Sequence, residues 1–141
     1  MINDGLKMTG AVAIALNGEV VQEIPNLVVT AGKGYVASRM KDATATAMSH
    51  MAIGTNNTTA AVTQTALSAE VTRGALTSTT VSTNTIAYVE TFAAGTGTGA
   101  IVEAGVFNAS SGGTMLCRTV FAVVNKGSAD AMTITWTITV S

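Results

Sequence analysis

Ala131-Met132-Thr133-Ile134-Thr135-Trp136-Thr137-Ile138-Thr139-Val140 is the stretch whose reading decides the fold. Its even positions, from Met132 to Val140, are apolar, and its odd positions from Thr133 to Thr139 are all threonine. Strand side chains point alternately to opposite faces, so the segment reads as a β-strand with one apolar face and one hydroxyl face. β-Branched residues dominate it, which suits a pleated surface and disfavours a helix. Trp136, the only tryptophan, stands at its centre between Ile134 and Ile138, and these three are read as core anchors.

The rest of the chain fits the same class. Its 141 residues suffice for one domain with a real core. Only 11% of residues are charged while 48% are hydrophobic, the reverse of a disordered composition. With 24 threonines and 23 alanines, the polarity comes from short side chains. A net charge of −1 supplies no field for nucleic acid or a membrane surface, and neither is expected as a partner. A surface so poor in charge gains little solubility from repulsion, which suggests that much of it is covered in an assembly. Met1 to Gly5 carries an acid where a secretory signal carries bases, and no apolar run approaches the roughly 18 residues of a membrane span. The expectation is synthesis in the cytosol, and the sequons at Asn56, Asn57 and Asn108 then have no meaning. A single Cys117 excludes an internal disulfide.

Along the chain, Asn17-Gly18 between Ala11–Leu16 and Glu19–Ile24 is a strong hairpin signal. Thr30 to Lys41 reads as one short helix, with Thr30 as its cap and Tyr35, Val36, Arg39 and Met40 at helical spacing. Ala43 to Ser49 reads as a loop, and Met51 to Ile53 as a short strand. Asn56 to Gly74 reads as an extended loop with one helical turn before Arg73. Strands are expected at Leu76–Ser82 and Thr85–Ala93, the latter with Ile86, Tyr88, Glu90 and Phe92 on one face. A hairpin of Ile101–Asn108 and Thr114–Val124 precedes the closing strand. About eight short strands separated by turn signals predict an all-β fold, an antiparallel sandwich of jelly-roll type. Residues 1–10 read as an N-terminal arm and residues 11–141 as a single domain.

Chemistry-bearing patterns are sparse. His50 and Cys117 lack the further ligands of a metal site, so no metal and no cofactor is expected. Cys117 reads as a small buried hydrophobe, with a Cys–His nucleophile pair as the alternative. Gly95–Gly99 and Gly32–Gly34 lack the Lys-Ser/Thr of a phosphate loop and read as turns or caps. Met40, Met48 and Met51 read as core filler. Glu103 and Arg118 fall nearly opposite one another if the Ser110–Gly113 turn closes its hairpin symmetrically. A cross-strand ion pair there would be worth a few tenths to about 1 kcal/mol, with Glu90 able to join it. The alternatives are an inter-subunit bridge or a spaced acid pair for glycoside hydrolysis.

Two passages carry a resemblance. Ile53-Gly54-Thr55, then Thr65-Ala66-Leu67 and Glu70-Val71-Thr72-Arg73, form the first. Glu103-Ala104-Gly105-Val106-Phe107, then Leu116-Cys117-Arg118 and the Ile134-Thr135-Trp136 ending, form the second. Together they resemble the pattern of small structural proteins of tailed bacteriophages, although Asn56 stands where that pattern often has glycine. The resemblance implies a virion component made in the host cytoplasm and without enzymatic activity. The first expectation is a head decoration, or cement, protein that binds the major capsid protein as a homo-oligomer, a trimer in particular. The arm with Met1, Ile2, Leu6 and Met8 is its expected interface. A small tail, baseplate or receptor-binding protein is the second expectation, and a wall hydrolase the third.

Overall fold

The threonine–apolar alternation is realised as a long strand at the centre of a sheet, in a computed structural model that describes residues 5–42 and 44–141. Ten strands and one helix occur among these residues: β1 (Met8–Leu16), β2 (Glu19–Pro25), β3 (Leu27–Val28), α1 (Thr30–Lys41), β4 (His50–Gly54), β5 (Glu70–Ala75), β6 (Ser78–Ser82), β7 (Thr85–Phe92), β8 (Gly99–Phe107), β9 (Met115–Lys126) and β10 (Met132–Val140). They form two five-stranded antiparallel sheets, in the orders β2-β1-β10-β7-β6 and β3-β9-β8-β4-β5. The chain is therefore an all-β sandwich with one helix.

In the first sheet β10 lies between β1 and β7, with Trp136 opposite Val12 on one side and Tyr88 on the other. Trp136, Ile134 and Met132 have no exposed surface and Ile138 almost none. They meet Met51, Ile53, Ile101, Val106 and Phe121 of the second sheet in one core. Burying each large apolar side chain is worth about 1.5–3 kcal/mol, so this row supplies much of the adhesion between the sheets. The indole Nε1 of Trp136 has no hydrogen-bond partner among the described residues, which offsets part of that gain. The threonines of β10 face outward, and Thr133 bonds Thr91 of β7 hydroxyl to hydroxyl at 2.9 Å.

Several expectations need correction. Two strands were missed. β3 is only two residues long, and β5 lies at the end of the stretch read as a loop, where Val71 and Thr72 were the available signal. The strand expected at Leu76–Ser82 begins at Ser78. β1 begins at Met8, and Met8 to Gly10 pair with Val140 to Ile138, so these residues belong to the sheet and not to an arm. Lys7 and Ser141 exchange backbone hydrogen bonds just beyond them. Met1 and Ile2 lie outside the described residues. Of the other two expected interface residues, Leu6 is 73% exposed, while Met8 packs against the core.

The helix also differs in detail. Its N-cap is Val29, without a side-chain cap, and the Thr30 N–H donates to the Val62 carbonyl. A backbone partner from a distant loop thus replaces the expected threonine cap. Tyr35 and Val36 pack on the core, but Met40 is 80% exposed and fills nothing. Met48 and Met51 are buried, as read from the sequence. The helix docks on β9 at Gly32, where any β-carbon would collide with the Leu116 carbonyl. This close approach needs glycine for lack of space.

Candidate functional site

The outer face of the second sheet carries a buried network of charged side chains and backbone groups. Ile101, Ala104 and Val106 of β8 face the core, which turns Glu103, Gly105 and Phe107 outward. Arg118 of β9 lies on the same side. The register sets Glu103 against Val120 and Arg118 against Gly105, because the β8–β9 ladder slips at Ile101/Glu103 and again at Val106/Phe107. Glu103 and Arg118 are therefore diagonal neighbours across the hairpin, which refines the nearly opposite placement expected. Their side chains nevertheless meet, with Nη2 2.7 Å and Nε 3.1 Å from Glu103 Oε2.

The expected cross-strand ion pair is present, but both side chains are wholly buried, so the few tenths to about 1 kcal/mol expected for it does not describe its energetics. The cover is the segment 55–69, which has no regular secondary structure and wraps around the two charges. Glu103 accepts from the backbone N–H groups of Ala69 at 2.9 Å, Ser68 at 3.2 Å and Asn56 at 3.4 Å. Arg118 donates to the carbonyls of Thr58 at 2.9 Å and Asn56 at 3.5 Å, and to Gln64 Oε1 at 3.0 Å. Gln64 in turn accepts from the Ala61 N–H and donates to the Thr59 carbonyl. Gly54 makes room for this arrangement, since a β-carbon there would run into the Glu103 carboxylate and the Ala69 carbonyl. Such a charge pair survives desolvation only when its remaining hydrogen-bonding capacity is filled, and here the segment fills it.

A second charged centre lies beside the first. Arg73 of β5 pairs with Glu70 at 2.7 Å and lies over the Phe107 ring at 3.7 Å from its centroid. It also donates to the carbonyls of Ala109 at 3.0 Å and Gly112 at 2.9 Å, holding the turn between β8 and β9. Leu67 of the wrapping segment packs with Ala52, Phe107, Met115 and Val29 in a small apolar cluster beneath. Sequence reading named Glu103 and Arg118 but missed Glu70, Arg73 and Gln64 as partners; the three-residue spacing of Glu70 and Arg73 was the only local signal.

Glu90 does not join Glu103. It sits in β7 of the other sheet, opposite Ile134, and points into the core beside Gly74. One of its oxygens is buried without a partner, and burial pushes its pKa up, against a smaller lowering by the Thr77 backbone. The two acids thus belong to different sheets and form no spaced pair in one cleft.

His50 and Cys117 are not brought together either. Cys117 lies in the core in register with Val106, and Val106 with Met51, so two strand spacings of about 4.8 Å each separate β9 from β4. His50 alternates with Met51 onto the opposite face and contacts the Ser49 hydroxyl at 2.7 Å through Nδ1. Burial pushes the Cys117 thiol pKa up, as suits an unreactive core residue. Among the described residues no group of three His, Cys, Asp or Glu is placed to hold a metal, and no helix is long and apolar enough to cross a membrane.

An open groove of about 400 Å³ runs beside the wrapping segment, between Pro25–Leu27, Asn57, Thr59, Ala60 and Arg118–Val120. Arg118 lines it without offering it a charge, because all three guanidinium nitrogens are already bonded within the protein. The arrangement holds a long segment in place against the sheet. Comparison with protein families, curated proteins and solved structures finds no match for this chain.

Proposed function

We propose that this chain is a structural protein of a tailed-phage virion that decorates the assembled head, binding the outer surface of the major capsid protein and stabilising it. The observation that carries this reading is the convergence of the resemblance's residues on one place. Gly54, Leu67, Glu70, Arg73, Glu103, Phe107 and Arg118 all meet on the outer face of the second sheet, where they lock segment 55–69 and the 108–113 turn. Residues that hold one segment and one turn in place support a scaffolding role for this face. A virion clamp needs such a scaffold, because binding by shape loses affinity with every segment that must be ordered on contact. The first sheet adds an outward surface in which threonine, alanine and serine outnumber Glu23, Pro25 and Val89, and such a face of short side chains suits packing into an assembly.

The test is the copy number of this chain in purified particles relative to the major capsid protein. A ratio near one to one supports a head clamp. A few copies per hundred capsid subunits moves the protein to the tail, and absence from the particle removes the virion reading altogether.

A further inference from the structure

Four strands form the outer edges of the two sheets, and three of them are protected against pairing with another chain. β2 carries Glu19, Glu23 and Pro25 and an irregular register with β1. β5 carries Glu70 and Arg73 and a register shift against β4. β3 is two residues long and runs directly into α1. Charges, proline, bulges and shortness are the usual devices that blunt an edge. β6, Ser78-Thr79-Thr80-Val81-Ser82, has no charge, no proline and no slip in its pairing with β7, and all five residues are exposed.

We propose that β6 is a self-association edge, on which a second copy of this chain pairs antiparallel across a twofold axis at Thr80 to make one continuous ten-stranded sheet. The β6–β7 hairpin turns on Thr83 and Asn84, with Ser82 opposite Thr85. Residues flanking a two-residue turn bond each other, and the bonded pairs recur at every second position. Ser82, Thr80 and Ser78 thus direct their backbone groups at β7, while Thr79 and Val81 direct theirs at the open edge. Antiparallel pairing about Thr80 sets Thr79 against the second copy's Val81, and Val81 against its Thr79, so every outward N–H and C=O finds a partner. The side chains agree: serine falls on serine, threonine on threonine, and the isosteric Thr79 and Val81 on each other, which are favourable cross-strand pairs. An isologous contact demands this self-complementarity. Val81, 70% exposed, borders a depression of about 360 Å³ shared with Ile86 and Val140, and a partner strand takes it out of water.

The contact concerns the protein in solution and does not depend on the capsid reading. So short a strip belongs to the weak class of interfaces, and association shows as a concentration-dependent equilibrium. Sedimentation equilibrium of the full chain is expected to show a monomer–dimer equilibrium at high micromolar concentration. Val81→Lys, a change at an exposed side chain, is expected to raise the dissociation constant by about tenfold or more. Thr80→Cys is expected to give a disulfide-linked dimer under oxidised glutathione, since facing Cα atoms in a non-bonded antiparallel pair lie about 4.5 Å apart. Ser110→Cys, in the exposed turn after β8, is the control and is expected to cross-link far more slowly. A monomer at every concentration, the trimer that the family resemblance implies, a dimer indifferent to Val81→Lys, or equal cross-linking of the two cysteine variants would each overturn the proposal.

Discussion

Glu103 and Arg118 both leave water entirely, and what replaces water is the backbone of segment 55–69. Removing one partner of such a pair strands the other, so Arg118→Met is expected to lower stability by about 3–5 kcal/mol in urea unfolding. Adding Glu103→Gln to that variant is expected to cost less than the sum of the two single changes, because no charge is then left alone. Strict additivity would mean that the two side chains act independently. Glu90 works in the opposite sense. Its pKa is raised by burial, so the folded chain holds the proton more tightly than the unfolded chain. Protonated Glu90 therefore favours the fold at low pH, and that contribution fades as pH rises from the ordinary carboxylate range through the raised value. Glu90→Gln is expected to remove this part of the pH dependence. The check is melting temperature against pH for both proteins, and a difference that stays constant with pH would refute burial as the cause.

The hairpins show how local chemistry and strain divide the work. Asn17 and Gly18 both take positive φ, 51° and 83°, as an Asn-Gly turn should, and little strain is stored there. The β6–β7 turn places Thr83 at φ 54°, a region that a β-branched residue rarely occupies. Thr83→Gly is expected to relieve that strain and raise stability by about 1 kcal/mol, measured by denaturant midpoint. An unchanged or lowered midpoint would show that the turn is not strained. The helix illustrates a different limit. Its sequence suggested a threonine cap, but a loop carbonyl at Val62 serves the Thr30 N–H, and Gly32 matters for the approach to β9.

At the scale of the whole molecule, the sandwich closes around Trp136, which is fully buried. Its emission is expected to be blue-shifted in the native protein and to move red on denaturation; red emission from the folded chain would contradict the packing of β10. Local pattern was enough to read this strand, the Asn17–Gly18 hairpin, the helix span and the apolar face of β7. Period and turn chemistry are properties of neighbours along the chain, and a half-buried sheet imposes that period on its own strands. The sequence could also place Glu103 near Arg118, since one hairpin joins them. It could not show that the pair is buried, because the cover comes from segment 55–69, which lies more than thirty residues away from Glu103 and has no period of its own. Nor could it show β3, a strand of two residues that exists only because β9 offers an edge at Cys117 and Arg118. Met40 was misplaced for the same reason: helical spacing names a face, but only the packed neighbour decides which residues of that face are covered. Local alternation therefore determined the class of fold, whereas contacts between distant residues decided where its charges, its wrapping segment and its open edge lie.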